Sequence, residues 1–340
     1  MTRKPSNKRL QVALILSNIF ILSACGGGGS GEANNQNIVE TPTSRRINSN
    51  WGDLGWRAAA SLIQPDGKLI ISGASANTCA LARFNTDNTL DATFSNTGKI
   101  TINSEGLNSS ITSLYPQSNS GMLALCNAPG SSRLVNYLDS GAIDVNFNTG
   151  GSRTFSQITN YSQYTKISKD VGGNILLYGN ILFNSGITRL SPSGALDDFY
   201  GIHGVSTVVN PFPNGLTKFS IAMTPQNSIL MGSLETYDFS VVKLDSDGQK
   251  VINYGNCNDP SICGITTGWS KIDFGGIDNL AQIIPLPDGG AYLIGTKWLT
   301  PNFTPLISKL QANGTLDLSF NATGKIELSI QSKSNNFRWN

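Results

Sequence analysis

Four carboxylates recur at one fixed place in this 340-residue chain. Asp91, Asp144 and Asp317 stand three residues before Phe94, Phe147 and Phe320, and Asp197 stands three before Tyr200. One acid per copy could supply a ring of metal ligands or a proton-transferring pair. A catalytic centre, however, brings unlike groups to one point, and an Asp beside a turn satisfies backbone N–H groups locally. A structural role in each copy is therefore expected. Basic side chains at Arg83, Arg189, Lys243 and Lys309 precede the turns and are read as charged partners of these acids or as a solvated edge. A ring of ligand contacts is the weaker reading, because a repeated position serves each unit's own fold. The only histidine, His203, lies in Gly201-Ile202-His203-Gly204 beside Asp197 and Asp198. No serine stands in a G-x-S-x-G context to complete a triad. Asp245-Ser246-Asp247-Gly248 begins like a calcium loop but lacks the later ligands and closing Glu of an EF-hand, so it is read as a turn. No catalytic residue, cofactor site or metal site is expected.

The thiols carry a different chemistry. Met1 to Arg9 holds Arg3, Lys4, Lys8 and Arg9 with no acid, and Leu10 to Leu22 is apolar except for Gln11, Ser17 and Asn18. This is a basic region followed by a hydrophobic one, as in a signal peptide. The apolar run is short of the ~20 residues that cross a bilayer as a helix, so cleavage is expected rather than a retained span. Leu22-Ser23-Ala24-Cys25 resembles the lipobox of bacterial lipoproteins. The resemblance implies a signal peptide at 1–24, diacylglycerol on the Cys25 thiol, and membrane attachment through that lipid. Gly26, where an Asp would signal retention, implies the outer membrane. Residues 25–50 are glycine-rich and polar and offer too little apolar surface to offset ordering. They are expected to form a flexible tether spanning about 25 to 30 Å.

The other cysteines, Cys79, Cys126, Cys257 and Cys263, form an even set for an oxidising compartment. Cys257 and Cys263 flank a short polar loop containing Pro260, which points to one disulfide and leaves Cys79 with Cys126 for the other. The second bond requires Cα atoms within about 7 Å. No histidine lies near any cysteine, which argues against zinc. The net charge of +2 becomes −2 without Arg3, Lys4, Lys8 and Arg9. No basic run survives beyond Arg45-Arg46, so a nucleic-acid partner is excluded.

What must position these residues is a repeat. The aromatics Phe94, Phe147, Tyr200, Tyr254 and Phe320 are spaced by 53, 53, 54 and 66 residues, and glycines follow four residues later at Gly98, Gly151, Gly204 and Gly324. Asn258 breaks that series, inside the long interval that also holds Cys257 and Cys263. Each unit reads as four short strands, for which the first copy offers Ala58 to Ile63, Lys68 to Ser72, Ala80 to Asn85 and Lys99 to Ile102. Beyond Cys25, no segment of adequate length keeps a helical apolar period without turn residues intervening. Units of ~50 residues with four strands are too thin to bury their faces alone and stack around an axis. The fold expected is an all-β propeller at 51–340, with five blades near 58–104, 110–156, 163–210, 217–273 and 279–331. A sixth blade would require Ile47 to Trp56 to join Phe337 to Trp339.

Pro65, Asp66, Gly67, Lys68 and Gly73, followed by Leu81, Arg83, Leu90, Asp91 and Phe94, resemble the delta-60 repeat family of predicted β-propellers. In this copy Asn88 replaces the turn glycine and Ser95 the one after the aromatic. The fourth copy departs most, with Lys250 and Val251 where Leu and Asp are expected. The resemblance implies architecture and no common activity.

The function expected is therefore a non-enzymatic binding or interaction domain in the cell envelope, meeting a protein or glycan through the loops at the ends of the propeller. A structural or assembly role at the outer membrane is the alternative. A hydrolase or lyase ranks last, because it would need a mixed acid, base or metal cluster. Clustered exposed aromatics at the loop ends would favour the first reading, and one lateral apolar patch the second.

Overall fold

Runs such as Leu69-Ile70-Ile71 and Met122-Leu123-Ala124-Leu125, closed off by Gly, Asn and Asp, are too short for a helix and rich enough in apolar side chains to pair as strands. A computed structural model describes residues 56–102, 108–156, 163–181, 184–208, 219–233, 238–256, 268–299 and 302–328. Blade 1 comprises β1 (Arg57–Ile63), β2 (Leu69–Ser75), β3 (Thr78–Phe84) and β4 (Lys99–Ile102). Blade 2 has β5 (Ser110–Pro116), β6 (Met122–Ala128), β7 (Ser131–Tyr137) and β8 (Ser152–Ser156), and blade 3 has β9 (Gln163–Lys169), β10 (Ile175–Ile181), β11 (Asn184–Leu190) and β12 (Val205–Val208). Blade 4 follows with β13 (Phe219–Met223), β14 (Ile229–Ser233), β15 (Phe239–Leu244) and β16 (Trp269–Ile272), and blade 5 with β17 (Ile277–Pro285), β18 (Ala291–Leu299), β19 (Asn302–Leu310) and β20 (Lys325–Glu327).

Each blade is an antiparallel meander of four sequential strands. The expected strands of blade 1 shift by up to three residues at their ends, and β4 keeps its expected bounds. No helix occurs among the described residues. The segments 47–55 and 337–339, on which a sixth blade depends, lie outside the described residues, as do Cys25, Cys257 and Cys263.

Stacking shows in the burial. Every residue of β6 is buried, so blade 2 is covered on both faces. Four apolar clusters fill the four successive junctions. Ile70 and Phe94 meet Ile111 and Met122 at the first, and Leu125 and Phe147 meet Ile167 and Leu177 at the second. Tyr178 and Tyr200 meet Ile229 and Met231 at the third, and Phe239 and Tyr254 meet Leu280 and Leu293 at the fourth. The first strands lie side by side, β1 with β5, β5 with β9 and β13 with β17, and so face the axis. Four of them carry a bulge, for instance between Ala58 and Ala60 opposite Gly73. A Cβ at Gly73 would stand 1.8 Å from the Arg57 carbonyl oxygen, which explains the glycine. The strand registers sort the connections into two ends. The start of the first strand and the second hairpin share one end, here called the upper end. The first and third turns share the lower end.

Candidate functional site

At the lower end, the repeated residues build a latch. Asp91 Oδ1 accepts the N–H of Thr93 at 3.0 Å, and Asp144, Asp197 and Asp317 do the same for Asn146, Phe199 and Ser319. The other oxygen takes the basic residue, with Arg83 Nε and Arg189 Nε 2.7 Å from Asp91 and Asp197, and Lys309 Nζ 2.6 Å from Asp317. Asn136 replaces the base in the second copy and donates to Asp144 at 2.9 Å. Burial alone would raise the Asp91 carboxyl, but Thr93, Lys68 and Arg83 hold it well below the ordinary carboxylate range. Lys309 and Ser319 lower Asp317 to about 2. Arg83 is only 2% exposed. It also donates to Asp139 of blade 2 at 2.8 Å and lies 4.7 Å above the Phe94 ring, while Arg189 reaches the Ser246 carbonyl and covers Tyr200. Arg83, Arg189 and Lys243, which reaches the Ala312 carbonyl at 3.5 Å, thus extend from their own blade to the next.

The aromatics complete the latch. Phe94, Phe147, Tyr200 and Tyr254 are buried beneath Gly141, Gly194, Gly248 and Gly314 of the following blade, where a Cβ would meet the ring at 2.6 to 3.0 Å. These glycines have φ between 77 and 87°, a region that favours glycine. The residue after each aromatic donates its N–H across the junction: Ser95 to the Ser140 carbonyl at 2.8 Å, Asn148 to Ser193, Gly201 to Asp247 and Gly255 to Asn313. Phe320 differs. It is half-buried and meets the edge of Tyr292 in its own blade at 5.5 Å. His203 is exposed in a turn with φ 50°, and Asp245 receives the N–H groups of Asp247 and Gln249 within its turn. Cys79 on β3 and Cys126 on β6 form a disulfide, with Cα atoms 6.0 Å apart, that joins blades 1 and 2.

The upper end of blades 4 and 5 brings together residues that their spacing in the sequence does not single out. The residue before β15, Asp238, comes beside the β16–β17 turn because Phe239 pairs with Ile272. That turn holds Asp273, Gly275 and Gly276, and Asp278 follows at the start of β17 opposite Lys297. Carboxylate oxygens of Asp238, Asp273 and Asp278 lie within 4.8 Å of one another. Lys271 pairs with Asp238 at 2.8 Å, Lys297 donates to the Phe274 carbonyl at 2.6 Å, and Lys325 donates to the Asp273 carbonyl at 2.7 Å. Burial raises the Asp278 carboxyl. The Phe274 N–H and Lys297 oppose that rise, and Asp238 and Asp273 add to it.

At the same end, Trp298 and Phe303 pair across the β18–β19 hairpin and stack at 6.3 Å with 16° between planes, 48% and 61% exposed. Ile277, opposite Trp298, is exposed beside them. The signal that could have found this pair is the aromatic at each end of Trp298-Leu299-Thr300-Pro301-Asn302-Phe303, at a hairpin tip. Elsewhere, a groove of about 400 Å³ between β4 and β7 is lined by Ile100, Ile102, Arg133, Val135, Tyr137 and Ile143, with no carboxylate or imidazole among the described residues of its wall.

A family model described as a domain of unknown function (DUF5122), beta-propeller, matches residues 64–94, the copy in which the motif is best kept. No curated protein matches the chain. Solved structures similar to it include virginiamycin B lyase from Staphylococcus aureus, at 13% identity over 81% of this chain and 85% of that one, with a TM-score of 0.44. Drosophila semaphorin 2a is similar at 8% identity over 83% of this chain, with a TM-score of 0.45, and the chain covers 53% of it. A Lactobacillus plantarum protein matches at 13% identity over 77% of this chain and 65% of its own, with a TM-score of 0.44.

Proposed function

We propose that this chain is a cell-envelope lipoprotein, held through a lipid on Cys25 at the outer membrane, whose propeller is a non-enzymatic module that binds an envelope protein or glycan. The observation that carries the reading is the Trp298–Phe303 stack, a flat exposed aromatic surface at a loop end with Ile277 alongside. Such rings offer a large apolar area with few rotamers to freeze, which suits them to the faces of sugars and to apolar peptide side chains. The neighbouring lysines and carboxylates supply polar contacts around that platform. Crosslinking in intact cells from a photoreactive residue at Phe303, with Lys68 at the opposite end as control, tests it. One envelope protein or polysaccharide recovered from the Phe303 position alone is expected, and recovery of none overturns it. For the anchor, labelled palmitate is expected in the wild type and absent from Cys25→Ser. Unmodified Cys25 in the mature protein overturns that part.

A second binding surface for the same role lies in the loops of the lower end. There Val145, Phe199, Ile202, Ile252 and Leu318 are exposed in the third turns of four blades, Phe199 to 94%. Crosslinks from Phe199 and none from Phe303 would favour it.

A further inference from the structure

Two blade junctions carry different residues at one matching place near their upper ends. Between blades 1 and 2, Ser109 lies two residues before the bulge that begins at Ile111. It is 1% exposed, and its Oγ accepts the Cys79 N–H at 3.1 Å. Between blades 4 and 5 the same place, two residues before the bulge at Leu280, holds Asp278, also 1% exposed. Its Oδ2 accepts the Phe274 N–H at 2.7 Å, whereas its buried Oδ1 receives no hydrogen bond from the described residues. A buried carboxylate oxygen without a partner is unfavourable, and the Asp278 carboxylate has an oxygen within 4.8 Å of oxygens of Asp238 and Asp273.

We propose that Asp238, Asp273 and Asp278 hold a divalent cation, and that the cation is calcium. The donors are all carboxylate oxygens, which suit a hard ion and offer nothing to zinc or copper. Oxygens of the three carboxylates lie within 4.8 Å of one another, within reach of one ion, and a site of three carboxylates with open positions suits calcium's flexible coordination better than magnesium's strict octahedron. Calcium also accepts a site completed by water. The affinity is moderated by Lys271, which already neutralises part of Asp238, and by Lys297 beside Phe274. It belongs in the range of extracellular calcium modules, about 10⁻⁴ to 10⁻³ M. The ion would join the residue before β15 in blade 4 to the start of β17 in blade 5 and brace that junction.

Thermal unfolding of the full chain in millimolar calcium chloride, millimolar magnesium chloride or EDTA tests this. Calcium is expected to raise the melting temperature by about 3 °C over EDTA and magnesium by less. Asp278→Asn, which removes the unpaired buried charge, is expected to melt no lower than the wild type in EDTA and to lose the calcium shift. Asp273→Asn alters an exposed side chain and is expected to lose the shift while leaving the EDTA melting temperature in place. Equilibrium dialysis with radioactive calcium should find one ion per wild-type chain and none in either variant. A wild type that melts alike in calcium and EDTA overturns the proposal. So does either variant that binds calcium as the wild type does.

Discussion

Cys79 and Cys126 at the first blade junction occupy the same two places as Phe239 and Gly295 at the last. Cys126 pairs with Ile111 at the bulge of β5, and Gly295 pairs with Leu280 at the bulge of β17. Cys79 pairs with Ile102 on β4, and Phe239 with Ile272 on β16. At the first junction the two side chains are covalently joined. At the last, the Phe239 ring fills the space beside Gly295, where a Cβ would stand 2.6 Å from it, and lies 5.3 Å from Phe274. The repeat thus specifies the blade, while each junction is filled in its own way. The disulfide acts largely by restricting the unfolded chain. The aromatic acts only through packing in the folded one.

That contrast can be broken from either side. Phe239→Ala should have the largest effect, a loss of about 4 kcal/mol from the vacated core volume, read by urea unfolding, with no response to reductant beyond the wild type's. A loss below about 1 kcal/mol would mean that the fourth junction collapses around the gap. Cys79→Ser with Cys126→Ser should cost about 3 kcal/mol for a bond closing 47 residues, and reduction of the wild type should reproduce it. Cys79→Phe with Cys126→Gly transplants the last junction's solution into the first. It should recover about 1 kcal/mol of that loss, and no recovery would show that the two sites differ in more than their side chains.

The smallest effect concerns the lower ends. Asp91 has its carboxyl held below its unfolded value, whereas Val251 stands at the matching place in blade 4, where its N–H meets the Lys243 carbonyl as that of Asp91 meets Arg83. A depressed folded value means stability that is present above the unfolded value of ~3.9 and lost as the pH falls through the folded one. Acid should therefore loosen blade 1 before blade 4, and Asp91→Asn should flatten the loss of melting temperature between about pH 5 and about pH 2. An unchanged acid profile in that variant would remove Asp91 from the account.

Much of the fold was legible because the latch is local. The acid, the turn glycine and the aromatic lie within one stretch of about ten residues, so the aromatic at Phe94, Phe147, Tyr200, Tyr254 and Phe320, with the acid and the glycine each kept in four copies, marks five sheets directly. The Cys79–Cys126 bond is legible in the even set of thiols. The upper-end cluster was not legible. Asp238, Asp273 and Asp278 belong to two blades and meet only through the pairing of Phe239 with Ile272 and of Asp278 with Lys297. In the sequence they are three unremarked acids near turns. Phe320 shows the same limit: its motif matches the others, yet it stays half-buried and packs against Tyr292 of its own blade.

The position of the disulfide sets how the domain would carry mechanical load. A pull on the chain ahead of Arg57 reaches β1 first, and β1 is bonded within its sheet only to β2, so the two can be unzipped one hydrogen bond after another. The force next meets β3, where Cys79 is covalently tied to β6. Extension stops there until blade 2 yields, and the tension is shared between two sheets. Reducing the sulfur bond would convert that stop into a continuous unravelling from the N-terminal side.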